Sequence, residues 1–245
     1  MKIIYFVIVA MHLITTSAFI NINIMGTGLF LPYTMGVIGY IKKHIPIENY
    51  RLTGISGGAW CSLLYALEDD LSDYDKIWNY TIGDDDFKVR LTMNMPEFHK
   101  KFEANLKLRY KDVDLNKINN ISIIATRYDN VRMKFFNEKI TKFENINDLI
   151  NICSCSSYIP YLSGVLMCKE YNNKYYMDGD IIKNPRLFPS QNKTINIDRY
   201  LWGQKFKLSH VVYSDKNVSK QLFYQGWHDT EKHKDILTEY LKKGV

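Results

Sequence analysis

Cysteine is scarce in this sequence, and its few residues do not form a metal-binding pattern. The four cysteines include no Cys-x-x-Cys pair and have no histidine nearby at zinc-ligand spacing. We therefore predict no metal site and expect free, buried thiols at Cys61, Cys153, Cys155 and Cys168.

Linkers, internal repeats and low-complexity tracts are also missing. No Pro/Gly/Ser-rich stretch divides the 245 residues, which include only 13 Gly and 6 Pro. Because 46% of the residues are hydrophobic, the chain can bury a substantial core, which excludes disordered, collagenous and disulfide-stapled classes. We predict one domain, with a core over residues 19–190 and a basic C-terminal extension over residues 191–245.

The excess of positive charge is small. The chain has 32 Lys and Arg against 26 Asp and Glu, a formal net charge of +6. This value fits contact with an anionic membrane and falls short of a nucleic-acid footprint. Residues 191–245 carry ten Lys or Arg against six Asp or Glu, so the charge is concentrated there. A solvated basic face is the alternative to a lipid-facing patch.

No apolar run reaches the roughly twenty residues of a typical membrane-spanning helix. Residues 3–14 are apolar apart from one histidine, Lys2 precedes them, and small residues through Ala18 follow. This order is typical of a signal peptide over residues 1–18, which predicts membrane association or secretion. An uncleaved anchor and an N-terminal element of the fold stay open. Four glycosylation sequons agree only weakly with a lumenal route, since the chain is rich in asparagine; they begin at Asn79, Asn120, Asn192 and Asn217.

Strand and helix patterns alternate along the chain. The predicted strands cover residues 18–25, 51–55, 121–125, 164–168 and 174–177. The predicted helices between them cover residues 29–43, 59–67 and 146–155. Such alternation predicts an α/β fold with a largely parallel central sheet. In sheets of this kind, sites gather at the carboxyl ends of the strands.

A serine lies in a glycine-rich turn between the second strand and the second helix. Residues 54–58 read Gly-Ile-Ser-Gly-Gly, which matches the Gly-x-Ser-x-Gly nucleophile elbow in its strand-turn-helix context. Glycines at Gly54 and Gly58 leave room for a strained turn that exposes the hydroxyl of Ser56 at a helix N-terminus. A glycine-rich turn without chemistry is the alternative.

A second glycine turn follows the first strand. The backbone N–H groups of Gly26, Thr27 and Gly28 could stabilise the oxyanion of a tetrahedral intermediate. The competing interpretation is a dinucleotide-binding Gly-x-Gly-x-x-Gly motif. Leu31 occupies its third glycine position and disfavours that motif.

Three segments together resemble the patatin-like phospholipase family. They are the glycine loop extended through Tyr33 and Gly36, the serine elbow, and Asp178-Gly179 followed by Asn184-Pro185. Two supporting segments lie at residues 124–126 with Phe135-Phe136, and at residues 156–160 with Ser163-Gly164. The likeness spans roughly residues 20–190, and the joint spacing is far more specific than any single motif.

This resemblance implies a three-layer α/β/α fold and a lipid acyl hydrolase of the phospholipase A or lysophospholipase type. In that family pattern, Ser56 is the nucleophile and Asp178 the base of a dyad without histidine. The oxyanion donors would come from Gly26, Thr27, Gly28 and Gly57, with Gly54, Gly58 and Gly179 supporting the motifs. The implied partners are a lipid substrate and a membrane surface, without a cofactor or metal.

Three residues depart from the family pattern. Met25 replaces the aspartate that often opens the glycine loop, and Leu31 replaces a glycine, so the geometry of that loop is in doubt. Asp180 replaces a small residue after the catalytic aspartate. Near Asp178, its charge would raise the pKa of the catalytic carboxyl; a solvent-facing Asp180 is the alternative.

Two other functions stay open. One is an α/β-hydrolase esterase with a Ser56-Asp178-His210 triad. The other is a lipid-binding protein that kept the fold and lost turnover. For membrane contact, the sequence suggests a C-terminal mixture of aromatic and basic side chains; core packing, the alternative, explains most of these aromatic residues equally well. Its aromatic segment includes Trp202, Phe206, Leu222, Phe223, Tyr224 and Trp227, among Lys205, Lys207, Lys216 and Lys220.

Overall fold

A computed structural model describes residues 19–182, 193–206 and 212–242 of the chain. The strands among these residues are β1 (Ile20–Ile24), β2 (Tyr50–Ile55), β3 (Val89–Arg90), β4 (Ile121–Asp129), β5 (Lys134–Ile140), β6 (Lys169–Tyr171), β7 (Lys174–Met177), β8 (Thr194–Ile197) and β9 (Tyr213–Ser214). The α-helices there are α1 (Leu31–His44), α2 (Gly57–Leu67), α3 (Tyr74–Thr81), α4 (Met95–Arg109), α5 (Ile146–Ser156), α6 (Lys216–Lys232) and α7 (Lys234–Lys242).

The central sheet has the order β6-β7-β4-β2-β1-β8, and β5 pairs with β4 as well. Strands β8, β1, β2 and β4 are parallel neighbours, whereas β5 and β7 run antiparallel to β4, and β6 runs antiparallel to β7. Most strands therefore point the same way. Helices flank this sheet in a three-layer α/β/α fold, as predicted. Successive residues of the central strands are buried, including the polar residues Asn23 and Thr53, which fits a sheet that is covered on both faces.

Strands β2 and β7 lie along the same edge of β4. Strand β2 pairs with residues 121–124 of β4, and β7 pairs with residues 126–128. Strand β5 pairs across both stretches and so occupies the other edge. Because β2 and β7 run in opposite directions, their carboxyl ends meet beside the middle of β4. This meeting point brings together two segments that are more than a hundred residues apart.

The region beyond residue 191 contributes to the same sheet. Strand β8 pairs with β1, and α6 packs along α1 at very close range. A Cβ atom at Gly36 would lie 1.9 Å from the carbonyl oxygen of Phe223, and one at Gly226 would lie 2.1 Å from that of Tyr33. The two helices approach this closely because each has a glycine at the crossing.

Several expectations from the sequence have a definite outcome. The four cysteines are free and buried, as predicted. The strand predicted over residues 164–168 is wrong, because these residues form a loop that precedes β6. Within the described ranges, no helix combines the length and the apolar character needed to span a membrane. Residues 1–18, with the predicted signal peptide, lie outside those ranges.

Candidate active site

Ser56 occupies the sharp turn between β2 and α2. Its backbone has φ 53° and ψ −129°, a strained conformation for a residue with a side chain. The neighbouring glycines are sterically required: a Cβ atom at Gly58 would lie 2.1 Å from the carbonyl oxygen of Ile24, and one at Gly54 would lie 2.6 Å from Cα of Ala59. The turn is therefore pressed against the end of β1, which holds the serine at the carboxyl edge of the sheet.

A buried serine on α5 holds the strained turn in place. The N–H of Ser56 donates a hydrogen bond to Oγ of Ser156 at 2.8 Å. That hydroxyl in turn donates to the carbonyl oxygen of Ile124 on β4 at 2.6 Å. Ser156 lies in a segment that supported the family resemblance, but its role was not predicted from the sequence. It couples the elbow to both α5 and β4.

Asp178 directly follows β7 and faces the serine. Its Oδ2 accepts a hydrogen bond from Oγ of Ser56 at 2.5 Å, and its Oδ1 accepts one from the N–H of Asp180 at 2.8 Å. The N–H of Asp178 donates to the carbonyl oxygen of Tyr158 at 2.7 Å. These contacts fix the carboxyl group in a single orientation, with one oxygen left for proton exchange with the serine.

Burial dominates the electrostatics of Asp178. The side chain is almost fully shielded from solvent, and this desolvation raises its pKa to about 6. The hydrogen bonds from Ser56 and from the N–H of Asp180 oppose the rise, while the negative charge of Asp180 adds to it. A carboxyl group with this pKa is ionised at neutral pH and is a stronger base than an ordinary aspartate.

Gly179 allows the chain to turn tightly behind this carboxyl. A Cβ atom there would lie 2.5 Å from the carbonyl oxygen of Ile124 and 2.6 Å from Cγ1 of Ile55. The amide of Asn137 on β5 donates to the carbonyl oxygen of Gly179 at 2.9 Å. Glycine at this position therefore lets the end of β7 approach both β2 and β4.

The predicted oxyanion loop lies against the serine elbow. A Cβ atom at Gly57 would lie 2.2 Å from Oγ1 of Thr27, and one at Gly26 would lie 3.2 Å from Cβ of Ser56. Gly28 has φ +54°, which favours glycine. Within the described ranges, no acceptor pairs with the backbone N–H groups of residues 26–28 or of Gly57. Of these four residues, Gly28 and Gly57 line the same pocket as Ser56, whereas Thr27 is fully buried.

The side chain of Asp180 lies at the glycine loop. A Cβ atom at Gly26 would lie only 1.6 Å from Oδ2 of Asp180, so the carboxylate fills the space that a side chain at Gly26 would occupy. Asp180 is half-buried there, and its charge contributes to the raised pKa of Asp178. The structure thus favours an Asp180 that lies near Asp178 and raises the pKa of the catalytic carboxyl over a solvent-facing Asp180.

An apolar pocket opens beside Ser56. The pocket is narrow and partly open to solvent. Gly28, Ser56 and Gly57 form one part of its wall, while its other residues are mainly apolar and aromatic. Burial is the main reason that the pKa of His99 falls to about 4, so this wall residue is neutral at pH 7. The apolar wall comes largely from α2, α3 and α4, through Trp60, Ile77, Trp78, Ile82, Met95, Phe98 and Phe102.

A comparison with solved structures finds a remote likeness. No protein-family model matches the sequence, and no curated protein gives a significant match. Among solved structures, the fold is similar to the crystal structure of VipD from Legionella pneumophila, with a TM-score of 0.43 and 10% sequence identity. The similarity covers 73% of this chain and 49% of that chain, so this chain spans about half the length of VipD.

The structure brings together the main residues that the sequence singled out, with some exceptions. His210 and Asn184-Pro185 lie outside the described residues. Of the C-terminal segment predicted for membrane contact, Leu222 and Phe223 are fully buried against the core, whereas Trp202, Phe206, Tyr224 and Trp227 are half-buried. Lys216 and Lys220 form ion pairs with acidic side chains, including Asp75.

The walls of the pocket were not predicted. Trp60, Trp78 and Phe102 come from three helices that are separated along the sequence. Apolar residues at helical spacing indicate burial. They do not indicate which of them line a cavity, so no sequence signal could have identified this set.

Proposed function

We propose that this protein is a lipid acyl hydrolase that cleaves carboxylic esters of membrane lipids through an acyl-serine intermediate. One observation carries the proposal: Oγ of Ser56 donates a 2.5 Å hydrogen bond to buried Asp178 beside an apolar pocket. Nucleophile and base are within direct proton-transfer distance. The motifs that resemble patatin-like phospholipases support the same chemistry.

In the first half-reaction, Oγ of Ser56 attacks the ester carbonyl carbon while its proton passes to Oδ2 of Asp178. The carbonyl oxygen becomes an oxyanion, which the N–H groups of residues 26–28 and Gly57 stabilise. The intermediate then collapses, and the C–O bond to the alcohol breaks. Asp178 returns its proton to the leaving alkoxide, and the acyl group stays on the serine.

In the second half-reaction, water replaces the alcohol. Asp178 takes a proton from the water as its oxygen attacks the acyl-serine, and the same donors stabilise the second oxyanion. Collapse releases the fatty acid, and Asp178 returns the proton to Oγ of Ser56. The apolar pocket suits the acyl chain of such a substrate, because burial of methylene groups contributes about 0.8 kcal/mol each.

The direct hydrogen bond between Ser56 and Asp178 favours a dyad over the triad alternative. In a Ser-His-Asp triad the imidazole lies between the hydroxyl and the carboxylate. Here the carboxylate itself accepts the proton of Ser56. We therefore expect His210→Ala to retain full esterase activity, and its inactivation would favour the triad.

The first test measures fatty acid and lysolipid released from mixed phospholipid vesicles. Ser56→Ala and Asp178→Asn should each abolish release, and Ser72→Ala at a surface serine should leave it unchanged. A fluorophosphonate probe should label the wild type at Ser56 and fail on Ser56→Ala. A folded wild type that neither reacts with the probe nor releases fatty acid would overturn the proposal and leave the lipid-binding alternative.

A further inference from the structure

The loop before β6 exposes a cluster of apolar side chains. We name residues 160–168 the apolar loop. Val165 is 91% exposed, Tyr161 69% and Leu166 64%, and Met167 is also exposed. Scattered exposed apolar residues are normal on protein surfaces, whereas a contiguous group of them marks a contact site.

The apolar loop holds this exposed arrangement through its own hydrogen bonds. The hydroxyl of Tyr158 donates to the carbonyl oxygen of Leu166 at 2.9 Å. The N–H of Ile159 donates to Oγ of Ser163 at 3.0 Å, and the N–H of Ser163 donates back to the carbonyl oxygen of Ile159 at 2.9 Å. A Cβ atom at Gly164 would lie 2.6 Å from the hydroxyl of Tyr158, so the loop is packed on that ring.

The apolar loop is joined directly to the candidate active site. The carbonyl oxygen of Tyr158 accepts the hydrogen bond from the N–H of Asp178. Ser157 and Ile159, which precede the loop, line the pocket that contains Ser56. The exposed apolar side chains therefore begin two residues after the pocket wall. A surface that binds this loop comes close to the pocket.

Basic side chains lie beside the loop. Leu166 lines a surface cavity with three lysines and two glutamates, so the net charge of this cavity is positive. Lys107 and Lys169 pair with Glu103 inside it, and Lys100 lies exposed on the first half of α4. Apolar side chains next to basic ones match the acyl boundary and the anionic headgroups of a lipid membrane.

We infer that the apolar loop docks this protein on anionic lipid membranes and brings the opening of the Ser56 pocket to the lipid surface. Val165, Leu166 and Tyr161 insert among the acyl chains, while Lys100 contacts the headgroups. This inference deepens the proposed function, on which it rests for the identity of the substrate. The apolar loop is a different surface from the C-terminal aromatic segment, of which Leu222 and Phe223 are fully buried.

The test measures co-flotation with phosphatidylcholine vesicles that contain or lack phosphatidylglycerol. The double variant Val165→Ser/Leu166→Ser should weaken partition by at least about tenfold, because two exposed side chains lose their apolar burial in lipid. Its melting temperature and its hydrolysis of a short soluble ester should match the wild type. Lys100→Gln should weaken binding only on vesicles with phosphatidylglycerol, by about fivefold.

A matched control lies at the opposite end of β7. Val131 and Met133 are 88% and 76% exposed at the turn between β4 and β5, so Val131→Ser/Met133→Ser removes similar apolar surface. This control should bind vesicles as the wild type does. Equal binding by the loop variant, or equal loss by the control, would overturn the inference.

Other outcomes separate this inference from the proposed function. Ser56→Ala should still bind vesicles, since docking does not use the nucleophile. Loop-dependent vesicle binding without any acyl-serine would support the inference and overturn the proposed function. Ester hydrolysis without vesicle binding would support the proposed function and overturn the inference. A further outcome is that the wild type does not bind vesicles and that the loop variant changes its oligomeric state. That result would indicate a protein interface at the loop and overturn the inference.

Discussion

At the scale of single residues, the raised pKa of Asp178 sets the pH dependence of the proposed reaction. The base must be ionised to accept the serine proton, so kcat/KM should increase as pH rises through about 6. The negative charge of Asp180 contributes to this pKa. Asp180→Asn should therefore move the acidic limb of the profile to lower pH, by up to about one unit.

A pH profile on a soluble ester measures this shift without the influence of membrane charge. The matched control is Asp86→Asn, which removes an exposed carboxylate in the turn between α3 and β3. An unchanged acidic limb in Asp180→Asn would show that desolvation alone raises the pKa of Asp178.

The same raised pKa predicts a stability cost at the site. The folded state holds the Asp178 proton more tightly than the unfolded chain, so folded protein binds more protons between about pH 4 and 6. Stability therefore falls as pH rises through this window. Above it, the ionised buried carboxyl costs on the order of 3 kcal/mol.

Asp178→Asn should consequently stabilise the protein while it removes activity. Urea unfolding at pH 8 should show a gain of about 1–3 kcal/mol over the wild type, and the gain should vanish near pH 4, where the wild-type carboxyl is protonated. Equal unfolding free energies of the two proteins at pH 8 would contradict this account.

At the scale of elements, the crossing of α1 and α6 depends on a glycine in each helix. A Cβ atom at Gly226 would lie 2.1 Å from the backbone oxygen of Tyr33, which cannot move without shifting α1. Gly226→Ala should lower the unfolding free energy by about 1–3 kcal/mol, despite alanine's higher helix propensity. Gln221→Ala, on the exposed face of α6, should change it by less than about 0.5 kcal/mol in the same urea titration.

The elements were predicted unevenly from the sequence. The predicted limits of β2, β7, α2 and α5 differ from the structure by no more than two residues, because apolar periodicity and flanking turn residues such as glycine, asparagine and serine mark these elements. The apolar run over residues 164–168 resembles a strand but forms a loop. The local pattern of such a short run predicts burial, whereas here the side chains of Val165, Leu166 and Met167 face solvent.

The role of α6 could not be predicted from the local sequence pattern either. Leu222, Phe223 and Gly226 lie on one face of the helix, and that face packs on α1, nearly two hundred residues earlier in the chain. Aromatic residues among lysines could equally belong to a membrane surface. Only the position of α1 decided between these possibilities.

At the scale of the whole molecule, the C-terminal region completes the core. Strand β8 covers the edge of β1, and the hydroxyl of fully buried Tyr33 donates to Asp229 on α6 at 3.1 Å. A variant that ends at residue 190 should therefore lose cooperative thermal unfolding, as followed by circular dichroism. A variant that ends at residue 233 lacks α7 but retains β8 and α6, and it should keep a cooperative, lower-temperature transition. Cooperative unfolding of the shorter variant would show that residues 191–245 are dispensable for the core.

The sequence by itself determined the α/β alternation, the serine elbow, the glycine loop and the aspartate after β7, because each depends on neighbours within a few residues. The tertiary structure alone decided the 2.5 Å contact of Ser56 with Asp178, the position of Asp180 at Gly26, and the walls of the pocket. These depend on the shared edge of β4 and on helices packed from distant parts of the chain. Burial, which raises the pKa of Asp178 to about 6, is likewise a property of the assembled layers.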